Sequence, residues 1–290
     1  MVEGFLVVDK PSGITSHDVV SHVRRATGVR KVGHAGTLDP MATGVVITAI
    51  GRVTRLIRFI QDLPKEYEAV AMFGVATDSL DADGAVLERT PMEISAADVE
   101  DVLVRFIGTI QQVPPMVSAL KVGGERLYEI ARRGETVERD ARLVDVYELE
   151  LTDFVPGPYP EVSLRLRCGK GTYVRSLADD VARAVGGRAH LTALRRTAVG
   201  SLTIRRSIPI DQLDRFEQFL LPPAQGLADL PSVRVDSDVA EAVSHGARFA
   251  TGPLAAIPPD GPVAVVDSAD ELIAVYRREG RQARPEVVLA

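Results

Sequence analysis

Asp39 is the only acidic residue between Val19 and Gln61, and its neighbours in the chain include Arg24, Arg25, Arg30, Lys31, Arg52, Arg55 and Arg58. Positive charge nearby favours the ionised form of a carboxyl group. The run from Lys31 to Gly44, KVGHAGTLDPMATG, is rich in small residues. Its glycines permit backbone conformations and close approaches that a Cβ resists. Pro40 restricts Asp39 to extended geometry. These residues describe a charged oxygen on a stiff loop within reach of a polyanion. His34 lies on the same loop.

The charge distribution supports a polyanionic partner although the net charge is −6. Between Arg165 and Arg206 the chain carries Arg165, Arg167, Lys170, Arg175, Arg183, Arg188, Arg195, Arg196, Arg205 and Arg206, against only Asp179 and Asp180. Acids concentrate from Asp62 to Asp101 and beyond Pro209. A basic face on an acidic body binds phosphate backbone, because affinity follows local contacts. The 46% hydrophobic and 26% charged fractions are those of a soluble globular chain. No apolar run approaches the roughly 20 residues needed to span a bilayer, and MVEGFLVVDKP does not read as a secretory signal. Cys168 is the single cysteine. It excludes an intrachain disulfide and a cysteine zinc cage, suits a cytoplasmic setting, and reads as a packed strand residue.

The elements that must position Asp39 begin with a buried strand at Gly4 to Asp9, stopped by KPSG. Ser16 is the expected cap of a helix closing at Gly28. After the Asp39 loop, the β-branched run Gly44 to Ile50 predicts a central strand. Val53 to Ile60 predicts a basic amphipathic helix. Tyr67 to Phe73 alternates as a strand, and Ser95 with Asp98 opens a helix over Ala96 to Phe106. Gly123-Gly124 reads as a hairpin tip and Leu127 to Arg133 as a helix ended by Gly134. Strands are expected at Leu143 to Thr152 and Val162 to Cys168, then a helix from Thr172 to Val185. Ala189 to Gly200 and Ser201 to Arg205 read as loop and strand, and Asp211 to Leu220 as a helix. Pro222 to Pro231 is the best linker candidate. Beyond it come a helix at Ser237 to Ser244 and three short strands. The pattern predicts α+β with a mixed, largely antiparallel sheet, followed by a compact β-rich appendage.

Six blocks now stand in order: KPSGITS from Lys10, KVGHAGTLDPMATG from Lys31, KEYEAVAMFGVATDSLDADG from Lys65, QVPPMVSALKVGGERLYEIARRG from Gln112, CGKGTYVRSLADD from Cys168 and HLTALRRTAVG from His190. In this order and spacing they resemble the bacterial tRNA pseudouridine-55 synthases, the TruB family, over roughly Gly4 to Gly200. Residues past Leu230 resemble that family's PUA-like RNA-binding appendage. The resemblance implies a catalytic domain over 1–230 of the pseudouridine synthase type, a thumb-like insertion at about 112–142, and a C-terminal domain over 231–290. The implied reaction isomerises uridine 55 in the TΨC loop of tRNA. The N1–C1′ bond breaks, the uracil turns, and a C5–C1′ bond forms. No cofactor or metal is implied, and the implied partner is a tRNA stem-loop acted on by a monomer without a protein partner.

By the same resemblance the essential carboxylate falls on Asp39. Whether it attacks base or sugar, or assists formation of a glycal, stays open. Arg175 falls on the family arginine and would orient Asp39. Tyr67 falls on the tyrosine that stacks on the target base, and Tyr173 and Leu194 on the walls of the uridine pocket. His34 matches the histidine that fills the space left by an extruded base. Lys10 and Pro11 match a buttressing pair, Lys10 being alternatively a solvated strand-end lysine. Asp81 matches an acid near the RNA face, or is an ordinary turn aspartate. In the thumb, Lys121, Arg126, Arg132, Arg133 and Arg139 either grip phosphates or, interleaved with glutamates, cover an exposed helix. Two other classes compete. One is an RNA-folding protein that needs no chemistry. The other is an aspartyl hydrolase, which would need a second acid or a metal close to Asp39 in sequence, and neither is there.

Overall fold

Thr15, rather than Ser16, caps the first helix, Ser16–Thr27. Its hydroxyl accepts from the Asp18 amide at 3.1 Å, and the Asp18 carboxylate accepts from the Thr15 amide at 2.8 Å. This reciprocal box satisfies two of the helix's orphan donors and leaves the buried Ser16 hydroxyl for another task. The structure is a computed structural model that describes residues 2–118, 120–135 and 137–289. The side chains of Lys121, Val122, Arg126, Tyr128, Ala131, Arg132 and Pro253 lie outside the described set, so the expectation that Lys121, Arg126 and Arg132 grip phosphates falls outside it too. The chain forms two units, one of Met1–Asp39, Gly44–Leu63 and Ala198–Ala290, the other of Pro40–Thr43 and Pro64–Thr197.

In the first unit the strand Gly4–Lys10 pairs antiparallel with Thr43–Ile50, in register from Gly4↔Ile50 to Lys10↔Gly44. Ile208–Pro209 joins parallel to Gly4–Lys10, and Val32–His34 pairs antiparallel with the far end of Thr43–Ile50. Both long strands are apolar nearly throughout because both faces are covered. Phe5, Val7, Val45, Ile47, Leu56 and Ile60 share a core with Val275 and Val287 of the tail. Where a single helix is expected at Val53 to Ile60, a 3-10 turn, Gly51–Leu56, leads into a short α-helix, Ile57–Gln61. Thr54 explains the tightening: its hydroxyl donates back to Gly51 O at 2.9 Å.

The proline-flanked linker candidate is packed. Pro223–Gly226 forms a helical turn, Leu227 is buried, and a Cβ on Gly226 would lie 2.1 Å from the Phe5 ring. The tail carries the expected helix, Ser237–Ser244, and the three expected strands, Pro262–Val266, Leu272–Glu279 and Gln282–Val288. A fourth strand, Ser232–Arg234, joins parallel to the first of them. Three residues are too few for an alternating pattern to show in sequence.

The second unit holds strands in the order Ala189–Val199, Lys65–Phe73, Glu161–Cys168, Arg142–Val155, Gly108–Gln112. Pairings from Lys65–Phe73 outward are antiparallel. Lys65–Phe73 alternates between buried and more exposed positions along its length, as the sequence pattern requires. Ala189–Val199 corrects the loop expectation, since it is an 11-residue strand. Its pattern is obscured by charge, for Arg196 is 1% exposed. Two helices, Ala96–Leu103 and Val174–Ala184, accompany this sheet. A hairpin turns at Gly123-Gly124, and the helix Leu127–Arg132 follows. The architecture is α+β with mixed sheets. No helix among the described residues is long and apolar enough to cross a membrane.

Candidate active site

Asp39 is half-buried at the end of a loop fixed one residue earlier. Ser16 Oγ accepts from Leu38 N at 2.8 Å and donates to Leu38 O at 3.2 Å. One hydroxyl thus satisfies both polar atoms of a buried backbone and ties the loop to the start of the Ser16–Thr27 helix. Ala35 N donates to Ile47 O at 2.9 Å, securing the loop's beginning. His34 ends the short strand, half-buried, with its backbone opposite Thr48. Lys10 is fully buried rather than solvated. Its Nζ donates to Pro11 O at 2.9 Å and Ile14 O at 2.8 Å, bracing the turn that feeds the helix. Pro11 itself is exposed.

The cations counted around Asp39 divide by task. Arg52 pairs with Glu3 at 3.0 Å, Arg58 with Glu286 at 2.8 Å, and Arg55 donates to Val288 O at 2.7 Å. Those three bind the first unit together. Arg25, Arg30 and Lys31 are exposed.

The second unit contains a buried ion pair. Arg175 Nη1 lies 3.0 Å from Asp81 Oδ2, with side chains 3% and 7% exposed. The same nitrogen donates to Ser79 O at 2.8 Å, and Nη2 donates to Val117 O at 2.9 Å. The guanidinium expected at Asp39 has this carboxylate as its ion-pair partner within its own unit. Asp81 is held in turn by the Ser79 hydroxyl and by Asp83 N at 3.2 Å. Leu80, between Ser79 and Asp81, sits in the left-handed region at φ 62°, a conformation costing about 1–3 kcal/mol that surrounding contacts must offset. A Cβ on Gly84 would fall 2.2 Å from Ser79 Oγ, so glycine closes this loop. Sequence reasoning left Asp81 between two roles, took Ser16 for the helix cap, and missed the bond from Ser79 to Asp81 and the strain at Leu80. The turn-rich composition of TDSLDADG was the available signal for the last two.

Tyr67 is 8% exposed on the Lys65–Phe73 strand, opposite Leu166. Tyr173 is half-buried at the N-cap of Val174–Ala184, and Leu194 is 6% exposed on Ala189–Val199. Beside Leu194, Arg195 Nη1 donates to Thr43 Oγ1 at 3.2 Å. Cys168 is buried, and burial pushes its thiol up to about 11, which fits a packed and unreactive residue. Asp180 is raised to about 6 by burial and by the neighbouring charge of Asp179. Asp179 itself binds Arg183, Arg188 and Ala189 N. No cluster of metal-ligating side chains occurs among the described residues.

The fold is that of the pseudouridine synthases. It resembles the solved structure titled "Crystal Structure of a Cbf5-Nop10-Gar1 Complex" with a TM-score of 0.74 at 27% identity, covering 94% of this chain and 78% of that one. Residues 24–174 match the TruB family pseudouridylate synthase (N terminal domain), and 230–290 match tRNA Pseudouridine synthase II, C terminal. A Thermobifida fusca protein named tRNA pseudouridine synthase B is 42% identical, covering 100% of this chain and 99% of its own. One of the same name from Symbiobacterium thermophilum is 48% identical over 84% of this chain and 82% of its own. The chain belongs to the TruB family of pseudouridylate synthases and is an isomerase of that class.

Proposed function

We propose that this enzyme converts uridine 55 in the TΨC loop of tRNA to pseudouridine after extruding the nucleotide, with Asp39 as the essential group. The observation that carries the reading is Asp39 itself: a half-buried carboxylate whose loop is fixed by both backbone atoms of Leu38. The names of the full-length relatives supply the tRNA substrate. The reaction is balanced within the nucleotide. C1′ exchanges its bond to N1 for one to C5, and the proton lost at C5 is matched by one gained at N1. Attack on the base, attack on the sugar and assistance to a glycal each use an ionised carboxylate, so Asp39 must be held in place before the base arrives.

Tyr67 is assigned to stack on the uracil, and Tyr173 and Leu194 to wall the pocket and exclude water. Arg175 is assigned as the orienting cation, its own position set by Asp81. His34 takes the place of the extruded base, and exposed Arg25, Arg30 and Lys31 take phosphates. Lys10 and Pro11 brace the loop. The tail over 231–290 adds RNA contacts in the PUA-like manner, and the protein acts as a cytoplasmic monomer. Remodelling of the tRNA loop needs only the flipping and thumb closure, so it is separable from chemistry.

The test is incubation with a TΨC stem-loop, mapping the product to one nucleotide, for wild type and Asp39→Asn. Wild type should modify the single uridine. The variant should lose about 10²–10⁴-fold or more in rate while retaining RNA affinity. Near wild-type turnover by Asp39→Asn would sink the assignment.

A further inference from the structure

Gln112 ends the Gly108–Gln112 strand and is 2% exposed. Its amide is matched at both ends by one residue. Nε2 donates to Tyr173 O at 3.1 Å, and Oε1 accepts from Tyr173 N at 2.8 Å. Beyond it, Ser176 Oγ donates to Val113 O at 3.1 Å and Arg175 Nη2 to Val117 O at 2.9 Å. The first turn of the Val174–Ala184 helix therefore grips the root of the 112–142 segment at three successive points. Pro114-Pro115 lies inside that grip and stiffens it.

The chemistry of the contact is selective. Tyr173 is the N-cap residue, at φ −101° and ψ 107°, and makes no side-chain cap bond. Its N–H takes an acceptor, and its carbonyl, which already accepts from Leu177 N at 3.0 Å, takes a second donor, so one primary amide serves both atoms at once. An ionised carboxylate of the same length cannot donate, and a thioether does neither well. Fixing both backbone atoms of residue 173 fixes the direction in which its ring leaves the chain.

We infer that Gln112 is a positioning residue that sets the tyrosine ring at 173 through its backbone and couples that ring to the seating of the 112–142 segment. The inference rests on the proposed place of Tyr173 in the uridine wall.

The experiment is a double-mutant cycle on the full chain with a TΨC stem-loop: wild type, Gln112→Met, Tyr173→Ala and the double variant. Turnover, RNA affinity and thermal unfolding are measured for each. Gln112→Met should lower kcat about 10-fold with Kd for RNA changed less than about 3-fold, because small misplacements at a reacting centre act on rate more than on binding. In the Tyr173→Ala background the same change should cost less than about 2-fold, since residues acting as one unit are not additive. Gln112→Glu keeps the acceptor for Tyr173 N and should fall between wild type and Gln112→Met. It replaces Gln112→Met in the cycle if the latter does not fold. Equal losses in both backgrounds, an unchanged kcat, or failure of both Gln112 variants to fold overturns the inference. Wild-type behaviour of Tyr173→Ala overturns the pocket reading and the inference with it. An impaired Tyr173→Ala beside a silent Gln112→Met overturns the inference alone.

Discussion

Asp39 and Asp81 are both loop aspartates next to small residues, yet the molecule treats them oppositely. Asp39 is half-buried, and the rigidity around it is supplied to its neighbour Leu38 by Ser16. Asp81 is 5% exposed and is itself the anchor, receiving Arg175, the Ser79 hydroxyl and the Asp83 amide. At Asp39 the loop is held through the backbone of the residue before it. At Asp81 the side chain is itself the point of attachment. The contrast separates the carboxylate proposed to react from one that positions its neighbours, a difference their sequence surroundings do not show.

Asp81→Ala offers the largest effect. It removes the Asp81 carboxylate from the buried Arg175 guanidinium, and breaking a buried pair should cost about 3–5 kcal/mol of stability by chemical denaturation, and turnover with it. Asp39→Asn should cost several-fold less stability while removing turnover. Similar stability losses for the two variants would erase the distinction. Ser16→Ala comes next. It removes the acceptor of the buried Leu38 N–H, worth about 1–3 kcal/mol, and loosens the residue before Asp39. Turnover should fall with RNA affinity retained, and an unchanged kcat would show that the clamp does not position Asp39.

The smallest effect sharpens the contrast with a third aspartate. Asp180 is raised to about 6 from an ordinary 3.8, by burial first and by Asp179 second, with Arg183 opposing. The folded protein therefore holds this proton more tightly than the unfolded chain. Its stabilising contribution is complete below about pH 4 and is lost as pH rises through about 6. Asp180→Asn should stabilise the protein relative to wild type above pH 6 and not at pH 4, read from unfolding midpoints across that range. An equal shift at both values would remove the pH linkage. The capping aspartates Asp18 and Asp98 run the other way. Hydrogen bonds from Thr15 and Ser95 lower both, so their contribution is lost as pH falls.

Much of this was legible beforehand because the signals are local. The Ser95–Asp98 box, the Gly28 terminator and the alternation in Lys65–Phe73 depend on residues a few positions apart. Reading failed where a distant partner changed a residue's meaning. Ala189–Val199 looks like loop because Thr192, Arg195 and Arg196 break its apolar pattern, yet burying Arg196 makes it a strand. Pro222 to Pro231 looks like a linker because prolines punctuate it, yet Phe5 packs against Gly226. Ser16 looks like the helix cap because its residue type suits, yet Thr15 one position earlier takes that role.

Residue order alone determined the family, the isomerase class and the single acid at position 39 between Val19 and Gln61, since six spaced blocks and a charge pattern are properties of the chain. Tertiary structure decided which polar groups hold one another. Arg175 could be assigned to Asp81, and Gln112 to Tyr173, only when residues 94 and 61 positions apart were brought within hydrogen-bond distance. A hydrogen bond acts over about 3 Å whatever the separation along the chain, so its partner is a fact of folding.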